Sequence, residues 1–258
     1  MKIFVTGGTG FVGRPLVALL RQRGHRLLIL ARTKIAKRQK NIQYLKGNLG
    51  APVKLLPALK KFQPDTVIHL AWEGIPDYGA HQSLKNLIYG LNLLDLAIQA
   101  GCKKIIASGT CWEYGGPSGQ APRGRVKETG ACEPTNSFKL AKNLLRRMGE
   151  NLSAAHDVNF IWTRLFYVYG PGQKNTSLIP HLIKSSGNGE LPRLDNPSAH
   201  NDFVYVDDAA QALALLAEKN TAAGIYNIGS GRLTGVGEIA FKILNIFLTL
   251  SDFSARQD

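Results

Sequence analysis

Short apolar runs alternate along this chain with longer stretches whose apolar residues recur every three or four positions. The runs at 2–6, 27–31, 65–71, 103–108 and 158–164 are bounded by glycine, proline or polar residues, the pattern of strands buried on both faces. Between them, Leu16, Leu19 and Leu20, closed by Gly24, predict one helix; Leu55, Leu59 and Phe62 predict a second; Leu87, Leu91, Leu94 and Ile98 predict a third. Strand and helix in alternation give an α/β fold, a doubly wound parallel sheet with right-handed crossovers. Past residue 164 the rhythm loosens. Loops rich in Gly, Pro, Asn and Ser at 170–177 and 185–202 separate short helical pieces, 207–219 predicts a helix capped by Asp207, and 234–248 predicts a final amphipathic helix.

A chain of 258 residues supports one α/β core with a small appended lobe rather than two large domains. The expected division is a core of 1–164, to which 201–219 returns, and a small C-terminal lobe of 165–200 and 220–258. No segment approaches the roughly 18 consecutive apolar residues that span a bilayer, so no membrane partner is expected. Met1-Lys2 runs straight into Ile3-Phe4-Val5 without the features of a signal peptide, and the expected location is the cytoplasm. Cys102, Cys111 and Cys132 show no CxxC spacing and the six histidines no HxxxH pair, so reduced thiols and no metal site are expected. The formal charge of +14 is spread along the chain without interleaved aromatics, which suits a phosphorylated small molecule better than a nucleic acid.

Thr6-Gly7-Gly8-Thr9-Gly10-Phe11-Val12-Gly13 leaves a strand and opens a helix. Glycine at 7, 10 and 13 permits a tight turn and lets backbone N–H groups approach a diphosphate at the positive end of the helix, the arrangement of a Rossmann dinucleotide site. Where such proteins place an acid for the ribose 2′-hydroxyl of NAD, the second strand here ends in Ala31-Arg32, with Lys34, Lys37 and Arg38 close behind. That basic end favours the 2′-phosphate of NADP, with NAD as the alternative.

Together these segments resemble the extended short-chain dehydrogenase/reductase family, the NAD(P)-dependent epimerases, dehydratases and reductases of nucleotide sugars, over about residues 1–245. Gly7 to Gly13 is similar to its TGGxGFxG turn, Gly47-Asn48-Leu49 falls where it contacts adenine, and Val67-Ile68-His69-Leu70-Ala71 is similar to its VIHLAA strand beside the cofactor, followed by Trp72. Asn86 matches its asparagine on the next helix, and Arg164-Leu165-Phe166, the 168–172, 202–208 and 226–231 segments follow its later signatures. The resemblance implies cofactor contacts at Gly7, Gly10, Phe11, Val12, Gly13, Arg32, Asn48, Leu49, Leu70, Ala71, Trp72, Asn86, Ser108, Lys142 and Leu165. It implies substrate contacts at Trp72, Thr110, Cys111, Trp112, Phe166 and Tyr167, and a homodimer through the helices at 82–101 and 138–155.

Ser108-Gly109-Thr110-Cys111-Trp112-Glu113-Tyr114-Gly115 resembles the segment carrying the family's catalytic Ser or Thr, which puts Thr110 in that role. The Asp-Glu pair of the 4,6-dehydratases is replaced by Cys111 and Trp112, which disfavours dehydration. Asn136 to Lys142 resembles the YxxxK helix, with Lys142 present but Phe138 at the tyrosine position. Phenylalanine keeps the ring and loses the proton. Three accounts follow: a weak or inactive relative, a proton from Tyr167, Tyr114, Cys111 or a water held by Thr110, or a deliberate replacement. The chain also stops at Asp258, short of the C-terminal residues with which relatives grip the diphosphate of the sugar. The leading expectation is an NADP-dependent reductase of a nucleotide-linked 4-keto sugar; the alternatives are a nucleotide-sugar 4-epimerase and a non-catalytic dinucleotide-binding protein.

Overall fold

The computed structural model describes residues 1–33, 35, 39–115, 126–132 and 134–254. In chain order these form β1 (Lys2–Thr6), α1 (Gly13–Gln22), β2 (Arg26–Ala31), β3 (Ile42–Lys46), α2 (Leu56–Phe62), β4 (Thr66–His69), α3 (Ala80–Gln99) and β5 (Lys104–Thr110). There follow α4 (Ser137–Ala155), β6 (Asn159–Leu165), β7 (Tyr167–Tyr169), α5 (Leu178–Gly187), β8 (His200–Tyr205), α6 (Val206–Glu218), β9 (Gly224–Ile228), β10 (Leu233–Gly235) and α7 (Val236–Ser254).

Seven parallel strands form the main sheet in the order β3-β2-β1-β4-β5-β6-β9. This is the doubly wound Rossmann arrangement expected from the alternating pattern, extended by one strand. Alternate side chains of each strand go to opposite faces, which is why the runs read as continuously apolar. Ile3, Val5, Leu27, Ile29, Ile68, Ile106 and Ile161 meet Leu16, Val17 and Leu20 of α1 and Ala209, Leu213 and Ala217 of α6. Phe4, Leu28, Val67, Ile105, Phe160 and Trp162 meet Leu59 and Phe62 of α2, Leu93 and Ala97 of α3 and Leu145 of α4. Parallel pairing brings the carboxyl ends of all these strands to one edge, and every candidate residue of the sequence reading that follows a strand opens there.

Four features depart from the expectations. Ile42–Lys46 is a strand on the outer side of β2, hidden in the sequence because an edge position buries only Ile42 while Gln43 and Lys46 face solvent. Gly224–Ile228 pairs with β6 and belongs to the main sheet rather than to the lobe of 220–258. The loop expected over 185–202 is shorter, since α5 runs to Gly187 and β8 begins at His200 in a small sheet of order β10-β8-β7. Asp207 does not cap α6: the cap position is Tyr205, and Asp207 and Asp208 sit in the first turn, where their charge complements the helix dipole. No helix among the described residues is long and apolar enough to cross a membrane, and no group of three His, Cys, Asp or Glu is placed to hold a metal ion.

Gly149 of α4 lies so near the ring of Phe160 on β6 that an added Cβ would stand 2.3 Å from it. Alanine in a helix interior ordinarily gains up to about 1 kcal/mol over glycine, whereas overpacking a closed core costs about 1–3 kcal/mol. Gly149→Ala is therefore expected to lower the denaturation midpoint, and an unchanged or higher midpoint would show that the Phe160 ring yields.

Candidate active site

Three groups of residues line the carboxyl edge of the sheet. The first is the turn that leaves β1. Gly7 adopts a φ of +75°, its carbonyl accepts from the Gly10 amide at 2.9 Å, and a Cβ at Gly7 would stand 2.6 Å from the Ala71 amide nitrogen. A Cβ at Gly13 would stand 2.1 Å from the Gly7 carbonyl oxygen, so only glycine allows α1 to start this close to the turn. No side chain caps α1, whose N-cap is Val12 following Phe11; the Arg14 amide donates to the Gly10 carbonyl at 3.0 Å and Pro15 carries no N–H, so an anion here would be met by the amides of the turn and of Gly13. Leu70 and Ala71 lie against the same turn, the Leu70 amide donating to the Thr6 carbonyl at 3.0 Å.

The second group sits beyond β2, β3 and β4. Arg32 contacts the Glu73 carboxylate at 3.3 Å, and Lys85 of α3 reaches its other oxygen at 3.0 Å. Lys34, Lys37 and Arg38 lie outside the described residues. Asn48 accepts the Gly50 amide at 2.7 Å, and the carbonyl of buried Leu49 accepts from Asn92 at 2.7 Å, which shapes the turn after β3. Asn86 is buried and its amide is fully used by backbone: Oδ1 accepts from the Glu73 amide at 2.7 Å, and Nδ2 donates to the carbonyls of Glu73 at 3.0 Å and Gln82 at 2.8 Å. Asn86 thus holds the loop after β4 in place.

The third group carries the chemistry. Thr110 ends β5 and caps the 3-10 turn Cys111–Tyr114, its Oγ1 accepting from the Trp112 amide at 3.3 Å while its own amide donates to the Glu113 carboxylate at 2.8 Å. Beneath Thr110, Glu113 is paired with Arg164 at 3.1 Å and receives the Trp162 indole N–H at 3.0 Å, all three side chains buried. Lys142 on α4 donates to the Ser108 carbonyl at 2.7 Å, and its ammonium lies 4.0 Å from the centroid of the Trp72 ring. Burial, opposed in part by the Glu113 carboxylate, brings the Lys142 ammonium down to about 7. One helical turn before it, Phe138 is buried among aromatic rings, with centroids of Tyr78 at 4.9 Å, Trp72 at 5.3 Å and Trp112 at 5.8 Å. The Trp112 indole donates to the Tyr167 hydroxyl at 3.1 Å. His69 lies behind the site, its Nδ1 2.7 Å from Thr6 Oγ1; burial first, and then the Lys142 charge, hold the imidazole down to about 3.

Trp72, Ser108, Thr110, Trp112, Phe138, Lys142 and Tyr167 therefore form one cluster. Cys111 does not join it as an acid: it is buried, and burial pushes its thiol up to about 12. Tyr114 is engaged elsewhere, its hydroxyl donating to Asn227 at 2.6 Å and its ring lying 4.2 Å from the Arg164 guanidinium carbon. Leu165 ends β6 and Phe166 follows it, the Phe166 amide donating to the Ile228 carbonyl at 3.0 Å. Asp202 accepts the Ser230 and Gly231 amides at 2.7 and 2.8 Å and so shapes the 229–231 turn beside Phe166. Sequence reasoning missed Glu73, Tyr78, Glu113 and Trp162. Only Glu113 carried a local signal, the T-x-x-E spacing of a capping box from Thr110.

These residues suit a dinucleotide. A side chain at Gly7 or Gly13 would collide with the backbone that shapes the turn, so both positions keep the close approach such a site needs, and the buried Trp72 indole nitrogen has no acceptor among the described residues.

Residues 3–229 match the model of the NAD dependent epimerase/dehydratase family. A dTDP-6-deoxy-L-talose 4-dehydrogenase (NAD(+)) of Aggregatibacter actinomycetemcomitans is 26% identical over 90% of this chain and 85% of its own length. A dTDP-D-glucose 4,6-dehydratase of Dictyostelium discoideum is also 26% identical, over 95% of this chain but 62% of its own length, so the chain spans less than two thirds of that relative. Among solved structures, a UDP-glucose 4-epimerase of Thermotoga maritima with UDP-glucose superposes with a TM-score of 0.83 at 26% identity, over 96% of this chain and 82% of that one. The chain belongs to the NAD dependent epimerase/dehydratase family.

Proposed function

We propose that the chain is an NAD(P)-dependent oxidoreductase that reduces a nucleotide-linked 4-keto sugar. The observation that carries this reading is the convergence of Thr110 and the buried Lys142 at the carboxyl end of β5, beside a glycine turn that a Cβ would close. When bound, the dinucleotide supplies hydride to the sugar carbon. The amides of residues 7–13 hold its diphosphate, Leu70, Ala71 and Trp72 form its wall, and Lys142 holds its nicotinamide ribose. Arg32 favours the 2′-phosphate of NADP over NAD. Thr110 hydrogen-bonds the sugar oxygen as charge develops there, and Trp112, Phe166 and Tyr167 border the sugar. The segments 165–200 and 229–254 form the small substrate lobe. The 4-dehydrogenase named above acts at the same sugar carbon by its name, which supports reduction over dehydration.

Phe138 favours a second reading, a dinucleotide-binding protein without turnover, because the ring that carries the acid in relatives ends here in a hydrogen. Of the groups the sequence offers in its place, Tyr167 is bonded to this cluster, through Trp112. Phe138→Tyr places a hydroxyl four residues before Lys142. General acid help is worth about 10²- to 10⁴-fold, so NADPH oxidation with a panel of nucleotide 4-keto sugars is expected to rise by that order in the variant. If both proteins bind NADPH and neither turns over any sugar, the enzyme reading fails and the binding reading stands.

Lys142 also gives a stability signature. The folded chain releases its proton near 7 and the unfolded chain near 10.5. Between those values the unfolded state binds more protons, so the contribution of this residue to stability rises with pH and is most unfavourable below the folded value. Lys142→Met is expected to flatten the rise of the urea midpoint from pH 7 to 10, and an unchanged slope would refute the assignment.

We also propose a homodimer through α3 and α4. These helices pack on each other and leave Leu84, Ile88, Leu140, Leu144 and Met148 exposed at intervals of four. Light scattering should give twice the chain mass of 28.1 kDa, and Ile88→Asp with Leu144→Asp should give a folded monomer. A monomeric unaltered chain would exclude this interface.

A further inference from the structure

We infer that Glu73 sets which dinucleotide this chain prefers, by holding Arg32 across the mouth of the glycine turn. The inference rests on the dinucleotide reading above and deepens it. β1 lies between β2 and β4 and all three run parallel, so their carboxyl ends open side by side. Arg32 follows β2 and Glu73 lies beyond β4; their contact at 3.3 Å therefore spans the place where the turn leaves β1. Lys85 approaches the same carboxylate at 3.0 Å.

The two partners differ in how firmly they are held. Glu73 has its amide bonded to Asn86 Oδ1 at 2.7 Å and its carbonyl bonded by Asn86 at 3.0 Å and Gln82 at 2.9 Å. Its side chain is 23% exposed, whereas that of Arg32 is 73% exposed. The carboxylate is the fixed member, and the arginine is the arm that comes to it. Ion pairs at such exposure are weak, so an incoming phosphate can draw Arg32 away, but the carboxylate remains beside it.

A carboxylate accepts from a ribose 2′-hydroxyl and repels a 2′-phosphate, and an arginine does the reverse. The acid absent from the end of β2 is thus supplied in space from the end of β4. With Glu73 in place, the preference of Arg32 for the phosphorylated cofactor is partly cancelled, so the basic end of β2 read by itself overstates the selectivity for NADP.

The test is a fluorescence titration of the full chain with NADPH and with NADH, for the unaltered protein, Glu73→Gln, Arg32→Ala and the double variant, each checked for an unchanged melting transition. Glu73→Gln is expected to raise the affinity ratio of NADPH over NADH about tenfold or more, mostly through NADPH, because an amide still bonds a hydroxyl. Arg32→Ala is expected to lower the ratio. On the Arg32→Ala background the effect of removing the carboxylate should be clearly smaller, the mark of two residues that act as a pair. A ratio that stays within about twofold in Glu73→Gln overturns the inference alone, as does an equal shift on both backgrounds. Failure of the unaltered chain to bind either nucleotide overturns the dinucleotide reading and this inference with it.

Discussion

One buried carboxylate organises the site. Glu113 takes the amide of Thr110 from its own turn, the indole of Trp162 and the guanidinium of Arg164 from β6, so the end of β5, the 3-10 turn and the adjacent strand are bound to a single group. The other donors of Arg164 reach the Glu128 carbonyl at 3.1 Å and the Cys132 sulfur at 2.8 Å, which carries the same constraint into the 126–132 segment. A buried ion pair contributes little net stability when complete, but losing one partner strands a charge and costs about 3–5 kcal/mol. Its value here is positional. Thr110 cannot shift along β5 without breaking a charge-assisted bond in a place water does not reach.

Above this anchor the site is lined by rings. Trp72, Tyr78, Trp112 and Phe138 pack against one another, and the polar groups of Thr110, Lys142 and Tyr167 stand at their edges. Such a lining strengthens each remaining electrostatic contact. It also explains why burial brings the Lys142 ammonium down: the rings cut it off from water, and the indole face, the Ser108 carbonyl and the Glu113 carboxylate only partly offset that loss. The same rings pack around Phe138, which is buried among them.

What the chain reveals before folding follows the range over which each physical signal acts. Strands buried on both faces announce themselves as unbroken apolar runs, and the glycine turn is written in consecutive residues because steric closeness between Gly7 and Gly13 is local. Lys142 and Phe138 were legible as a spacing of four on one helix. β3 was not, because an edge strand with Gln43 and Lys46 outward lacks the run. Glu73 and Tyr78 were invisible for a different reason. Their significance comes only from partners on other segments, Arg32 and Lys85 for one and Phe138 and Trp112 for the other, and no local pattern encodes such meetings. The resemblance places Asn86 at the site, and what no motif conveys is that its amide is bonded to the backbone of the neighbouring loop.

The three tryptophans of the chain are distributed in a way that gives the molecule an internal lamp. Two of them, Trp72 and Trp112, stand in the cluster around Phe138, and the third, Trp162, is sealed in the core against a carboxylate. A ligand seated against the Phe138 cluster would meet two of the three indoles and leave the third untouched, so any change in intrinsic emission on binding is expected to come from Trp72 and Trp112.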